Sequence, residues 1–363
     1  MTPIPASGII QTAFQSEPYQ ILWAVRADGQ LLGLVFNRQD QVYAWFRINM
    51  PGAAIESVAV ISRQNQEDQV VVEVNRLING ASVRYLEYFM PQELFNQLSN
   101  AFFVNCGLQI NLGAALNITN ITNANPCVVT CPRHNFVNGH FVQIAGVIGT
   151  PPDAGHPSGT GMWQVNQDKT EAYTVANSNP AAGTFELQLV DSTAWGRYIG
   201  GGTALPVTNE VTGMSYLSGQ EVTAVGDQQL ILPPTLVTSD TLTFPYYCAQ
   251  ITVGLPYTVT VQPSNPVISA QANTTRGMRQ KLSRVTLSLY QSMGGQYGTD
   301  PAHMYDITYG PGTKLQQPAM STFEVTRDID ADWSDESTFT VTQSDPFPFT
   351  LRGLVFRMSY DTD

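Results

Sequence analysis

The sequence predicts an all-β protein: an antiparallel meander platform, in the form of a partial propeller, a sandwich or a barrel, carrying an inserted small β domain. Three observations predict it. Short runs that alternate apolar and polar residues recur along most of the chain, the period-2 signature of strands. The dipeptides Asp28-Gly29 and Asn79-Gly80 separate such runs, and both accept the positive φ of a type I′ hairpin turn. The composition also suits turns and strands. The 363 residues include 29 Gly and 23 Pro, with 43% hydrophobic residues and only 13% charged, about half the usual charged share.

Taken in order, residues 1–20 hold Pro3, Pro5, Gly8 and Pro18 and read as an irregular lead, an arm or a single edge strand. Six strands follow, over 21–25, 31–36, 42–47, 55–61, 70–75 and 83–89, with no helix between them. Such a meander builds a propeller blade or one sheet of a sandwich. Residues 91–98 are the one plausible short helix of this half, with Leu94, Phe95 and Leu98 apolar, and 102–106 reads as another strand. Residues 1–112 thus form an N-terminal β-meander domain.

The composition shifts at 113, where Asn and Thr dominate as far as Pro126. Strand-like pieces follow at 127–130, 140–144, 172–176 and 184–190, with a loop rich in Gly and Pro at 149–161, and the piece ends at Gly200-Gly-Gly-Thr-Ala204. Residues 113–204 therefore read as the inserted domain. An insertion of this kind costs little, because loop-closure entropy grows slowly with length. Residues 205–363 complete the platform, with strands at 211–217, 220–225, 228–232, 242–244, 248–253, 257–261, 276–291, 338–343 and 350–358. In the 276–291 segment, Val285, Leu287 and Leu289 point one way and Thr286, Ser288 and Tyr290 the other.

Charge narrows the function. The formal net charge is −12, and lysine occurs only at Lys169, Lys281 and Lys314. No basic run is present to neutralise several phosphates, so tight nucleic-acid binding is not expected. An acidic surface suits a conduit through which DNA slides without sticking. No apolar run approaches the roughly 20 residues of a membrane span. The N-terminus lacks the basic and apolar regions of a signal peptide, so the expectation is a soluble product of the cytoplasm. Cys106, Cys127, Cys131 and Cys248 are too few for a disulfide scaffold. The pairs Cys127–Cys131 and Cys106–Cys248 are disfavoured in that compartment.

Candidate sites are sparse. Cys127, Cys131 and His134, with His140 beyond, have zinc-type side chains, but the spacing is irregular and no second cysteine pair accompanies them. The run Asp328-Ile-Asp-Ala-Asp-Trp-Ser-Asp-Glu336 resembles the start of a calcium loop. Trp333 and Phe339, however, occupy the places of the required Gly and Glu, so the run reads as a solvated acidic loop. Gly200–Gly202 and Gly294-Gly295 lack the Lys-Ser/Thr of a phosphate loop and read as turns. Trp23 and Trp45 are expected in the core, and Trp163 and Trp195 on the insert's surface. No catalytic, cofactor-binding or metal residue is assigned: the expectation is no enzyme and no cofactor.

Three segments resemble one family. They are Leu22-Trp-Ala-Val-Arg-Ala-Asp-Gly-Gln-Leu-Leu-Gly-Leu-Val-Phe36, with Val42-Tyr-Ala-Trp-Phe46, Ile55-Glu-Ser-Val-Ala-Val60 and Arg84-Tyr-Leu-Glu87; Arg279-Gln-Lys-Leu-Ser-Arg-Val-Thr-Leu-Ser-Leu-Tyr290; and the run from Trp333 to Thr350. They resemble bacteriophage tail nozzle proteins (tail tubular protein B) and tail proteins of the DNA-stabilisation type. The insert, with Ile118–Thr130, Tyr173-Thr-Val-Ala176 and Thr184-Phe-Glu-Leu187, resembles the small β domain named after the first catalytic-cysteine half-domain of ubiquitin-activating enzymes. No ATP-binding loop accompanies it.

The resemblance implies a virion protein of the tail, a ring, most often a hexamer, that joins the tail adaptor and other tail proteins. Such a ring retains the genome and passes it during ejection. Many relatives have a longer N-terminal part, so either this is a short form or another polypeptide supplies further propeller blades. The alternative function is a receptor- or glycan-binding tail component that contacts the host surface through the insert. An enzyme that attacks the cell envelope is the weakest reading.

Overall fold

The structure is a computed structural model. It describes the chain except residues 1–7, 39–40, 49, 65, 92–93, 95–96, 152–160, 265–277, 301–302, 310–318, 330, 336 and 362–363. The described residues form strands and three short 3-10 turns, with no α-helix among them. The all-β expectation holds. The helix expected over 91–98 lies largely outside the described residues, and a 3-10 turn covers Leu98–Asn100.

The chain divides into two compact units. The first comprises 1–107, 216–221 and 254–363, and the second comprises 108–215 and 222–253. The insert expected at 113–204 falls inside the second unit, which also takes in the strands that follow it up to 253.

The first unit opens with a four-stranded meander of β1 (Ile9–Gln15), β2 (Ile21–Arg26), β3 (Leu31–Asn37) and β4 (Val42–Ile48), in that spatial order. The end of the lead is therefore an edge strand. A three-stranded sheet follows, of β5 (Ala53–Ile61), β6 (Gln69–Ile78) and β7 (Ala81–Tyr88). Alternation decides which side chains meet between the two sheets. Ile21, Trp23, Val25 and Leu31 from the first sheet share one core with Ile55, Val58, Val70, Val72 and Val74 from the second. This is a sandwich: neither sheet closes on itself. Trp23, 1% exposed, is its largest fully buried side chain. It meets Phe46 and Phe89 edge-on at 5.5 and 5.4 Å. Its indole N–H is satisfied by Gln15 Oε1 at 3.0 Å, as a buried donor requires.

Trp45 corrects the sequence reading. It is 58% exposed and lies on the outer face, while its neighbour Phe46 packs on the core. Both faces of β4 carry large apolar residues, so alternation alone does not tell which one is inside.

In the second unit, β8 (Asn105–Asn111), β9 (Leu116–Asn117), β10 (Asn120–Ile121), β11 (Cys127–Thr130), β12 (Phe141–Gly149), β13 (Tyr173–Asn179), β14 (Thr184–Leu187) and β15 (Tyr198–Val211) lead into β16 (Glu221–Gly226), β17 (Leu230–Leu236), β18 (Leu242–Cys248) and β19 (Gln250–Leu255). The large sheet runs β10-β11-β14-β13-β12-β15-β18, with β9 also on β15, and a second sheet runs β17-β16-β19-β8.

Two expectations fail in this unit. Gly200–Gly202 is not a turn but lies within the 14-residue β15, where Gly200 and Gly201 pair with Ile148 and Val147. Gly201 and Gly202 have φ of +71° and +88°, and a Cβ on Gly202 would sit 2.5 Å from Val147 Cγ2. The glycines let the strand kink while the ladder continues. The strand expected at 211–217 ends at Val211 instead, and Ser215–Leu217 is a 3-10 turn. There the Asp240 carboxylate accepts the N–H groups of Gly213 and Ser215.

The C-terminal part of the first unit contains β20 (Val259–Val261), β21 (Gln280–Ser292), β22 (Gln296–Gly298), β23 (Met304–Asp306), β24 (Ser321–Asp328), β25 (Thr340–Gln343) and β26 (Thr350–Tyr360). Sheets β20-β25-β22-β23 and β24-β21-β26 enclose a core of Leu282, Val285, Leu287, Leu289, Val325, Phe339 and Val341. Val285, Leu287 and Leu289 face inward, as the alternation predicts.

Candidate functional site

The zinc-type residues of the second unit are core residues. Cys127, Cys131 and His134 are buried with Phe136 and Phe185. The His134 ring stacks on Phe136 at 5.2 Å and meets Phe185 edge-on at 5.4 Å. Its Nε2 donates to the Thr184 carbonyl at 3.1 Å, and its Nδ1 accepts the Phe136 N–H at 3.3 Å. Both ring nitrogens are thus occupied by the fold, which needs the neutral tautomer protonated at Nε2. His140 is exposed. Burial raises both the Cys127 and the Cys131 thiols above the ordinary range. Among the described residues no three His, Cys, Asp or Glu side chains converge as a metal-binding group.

The acidic run from Asp328 begins in an ion pair: Arg284 Nε donates to Asp328 Oδ1 at 2.6 Å. That hydrogen bond and the arginine's charge hold the carboxyl below its ordinary range. Trp333 gives its carbonyl to Arg279, Ser334 bridges to Gln280, and Phe339 is buried in the C-terminal core. Asp330 and Glu336 lie outside the described residues. Trp163 is exposed, whereas Trp195 packs against the second unit's core. The Cys106 and Cys248 thiols are free.

Two features escape the sequence reading. The first is a buried polar cluster at the end of the N-terminal sandwich. Arg76, 2% exposed, sits on the inward register of β6 after Val70, Val72 and Val74. Glu87 of β7 takes its Nε and a terminal nitrogen at 2.6 and 2.8 Å, a bidentate, charge-assisted pair. Burial alone would lower the Arg76 pKa, but the carboxylate offsets this and holds it above the ordinary value. Burial, then the Glu87 charge, pushes the nearby Cys106 thiol up to about 12. Tyr85 donates to the Tyr216 carbonyl at 2.6 Å, and Tyr216 donates to the Cys106 carbonyl at 3.0 Å. This cluster holds 216–221 against the sandwich. A thiol so strongly protonated is a poor nucleophile.

The second is a contrast between the sandwich's two outer faces. The outside of the β5–β7 sheet is mixed: polar side chains share it with the exposed Leu77, Leu86 and Tyr88. There Glu56 accepts from Arg84 at 2.6 Å and from Asn75 at 2.9 Å, and Ser82 donates to Asn75 at 2.6 Å. The outside of the β1–β4 sheet is mostly apolar, with Thr12 and Arg47 at its edges. Register places Phe14, Leu22, Leu34 and Trp45 in one row across all four strands, with Phe36 opposite Tyr43 beside it. Phe36 and Tyr43 meet edge-on at 5.2 Å. Phe14, Tyr43 and Trp45 are each more than half exposed. The sequence signal for this face is the run of apolar residues at both parities of 31–36 and 42–48.

No protein-family model matches this chain, and no curated protein matches it.

Proposed function

We propose that this chain is a structural subunit of a bacteriophage tail, a ring at the nozzle or distal tube that retains the genome and conducts it during ejection. The reading starts from the resemblance of the segments at 22–87, 279–290 and 333–350 to tail nozzle and DNA-stabilisation proteins. One observation on the folded chain supports it: acids outnumber cations 29 to 17, and five of those cations are paired with carboxylates. Arg26 pairs with Asp28, Arg76 with Glu87, Arg84 with Glu56, Lys169 with Asp227 and Arg284 with Asp328. With a net charge of −12, the chain as a whole repels duplex DNA. A wall past which DNA must slide needs that property.

Two measurements test the reading. Electron microscopy of virions that carry this chain is expected to place it as a ring on the tail axis. Filter binding of the purified protein to duplex DNA is expected to show no retention between 50 and 200 mM salt (concentrations of the order used to expose phosphate contacts). Tight, salt-sensitive binding, or a position on a side fibre, sinks it.

A further inference from the structure

We infer that the outer face of the β1–β4 sheet is a subunit interface that packs against a second copy of this chain. The inference rests on the ring reading for the identity of the partner, and on three observations for the surface itself.

The first is the face. A sheet with one side in a core normally turns polar side chains to water on the other. The β5–β7 sheet of the same sandwich interleaves Glu56, Asn75, Ser82 and Arg84 with its exposed Leu77, Leu86 and Tyr88. The β1–β4 sheet instead presents the row Phe14–Leu22–Leu34–Trp45 and the Phe36–Tyr43 pair. Trp45 and Tyr43 are 58% and 59% exposed. Aromatic residues of this kind form the energetic centre of interfaces.

The second is size. Strands of six or seven residues at ordinary strand spacings give the four-stranded face a footprint of about 400 Å². That is the size of the largest apolar patch on an ordinary monomer, which is often functional. A standard interface takes about 800 Å² from each partner, so the face supplies a centre and adjoining surface supplies the rim.

The third observation selects the partner. A chain of net charge −12 repels its own copies over most of its surface. Residues 8–48 are neutral: the arginines Arg26, Arg38 and Arg47 balance the acids Glu17, Asp28 and Asp40. Neutrality here removes the like-charge penalty for a second copy. A basic partner would instead be drawn to the acidic remainder of the chain.

The test uses the full chain and measures its mass in solution by light scattering over a concentration series. Wild type is expected to assemble. Trp45→Glu and, independently, Phe14→Glu are expected to raise the dissociation constant at least tenfold while the melting profile keeps its cooperativity. Leu86→Glu, on the β5–β7 sheet and 79% exposed, is the control and is expected to assemble like wild type. A monomeric wild type, or assembly unchanged in both variants, overturns the inference. The tail reading fails separately. A chain that assembles through this face but is absent from tails refutes the tail and keeps the interface. A chain present in tails but monomeric in solution at every concentration refutes the interface alone.

Discussion

The Phe46 ring fills the space that a side chain on Gly33 would need. The two are register partners on neighbouring strands, and a Cβ on Gly33 would sit 2.2 Å from Phe46 Cζ. The glycine is required by this close approach and not by a left-handed backbone. It lets the Phe46 ring reach inward to meet Trp23 edge-on at 5.5 Å, which ties β4 to the centre of the core.

Gly33→Ala is therefore expected to overpack this contact and lower stability by about 1–3 kcal/mol. Phe46→Ala is expected to cost about 3 kcal/mol, the low end for such truncations because the ring is only partly buried. The pair should be coupled: once Phe46 is truncated, adding Ala at 33 costs much less than in wild type. Urea denaturation of the four proteins in the cycle checks this, and strict additivity would refute the packing argument.

The Arg76–Glu87 pair gives a sharper asymmetry. Arg76 is held by two hydrogen bonds from one carboxylate. Glu87→Ala leaves a buried guanidinium without its counter-charge and is expected to destabilise by about 3–5 kcal/mol. Replacing both partners, Arg76→Met with Glu87→Leu, removes the charge altogether and is expected to recover most of that loss. Thermal or urea unfolding distinguishes the two outcomes. A double variant as unstable as Glu87→Ala would show that the pair does more than neutralise itself.

Acid sensitivity should trace partly to Asp68. This carboxylate is 5% exposed and accepts the Ser16 N–H, the Ser16 hydroxyl and the Glu17 N–H at 2.9, 2.9 and 3.1 Å. Burial by itself would raise its pKa, but these donors outweigh it and hold the carboxyl below its ordinary range. The unfolded chain then binds a proton more readily than the folded one, so stability rises with pH through this window. The contribution is complete above the unfolded value of about 3.9 and is lost as pH falls through the depressed folded value. The stability difference between wild type and Asp68→Asn is expected to be flat from about pH 5 to 8 and to shrink below about pH 4. A difference that grows on acidification would contradict the assignment.

Much of this was legible in the sequence, because strand alternation and turn dipeptides are local signals. The inward set Val285, Leu287 and Leu289 follows directly from period 2. Trp45 did not, because β4 is apolar at both parities and only the partner sheet decides which side is the core. Gly200–Gly202 carries a local turn signal that pairing with β12 overrides. Arg76 left a trace, a charge on the register of Val70, Val72 and Val74, but its partner comes from another strand and no local pattern points to Glu87. Cys127, Cys131 and His134 carry zinc-type side chains, but their irregular spacing already argued against a metal site, and burial in the core, which sequence does not show, explains them.

The four thiols supply the last prediction. Cys127, Cys131 and Cys248 are fully buried and Cys106 is partly so, and all four are free. A thiol reacts as its thiolate, and burial suppresses that form. Cys248 and Cys106 are each pushed up to about 12, in both cases first by burial and then by a nearby carboxylate, Asp227 or Glu87. At pH 8 the native protein is therefore expected to react with a thiol-exchange reagent orders of magnitude more slowly than a free cysteine, and to titrate all four thiols in denaturant. Cys106, the least buried, should react first, and removing the adjacent charge with Glu87→Gln should speed it, provided that variant stays folded by circular dichroism. Mass spectrometry of the labelled native protein reads out the site. Rapid native labelling at any of the four, or a Cys106 rate that falls in Glu87→Gln, would contradict this picture of thiols made inert by burial, with a carboxylate adding to it at Cys106 and Cys248.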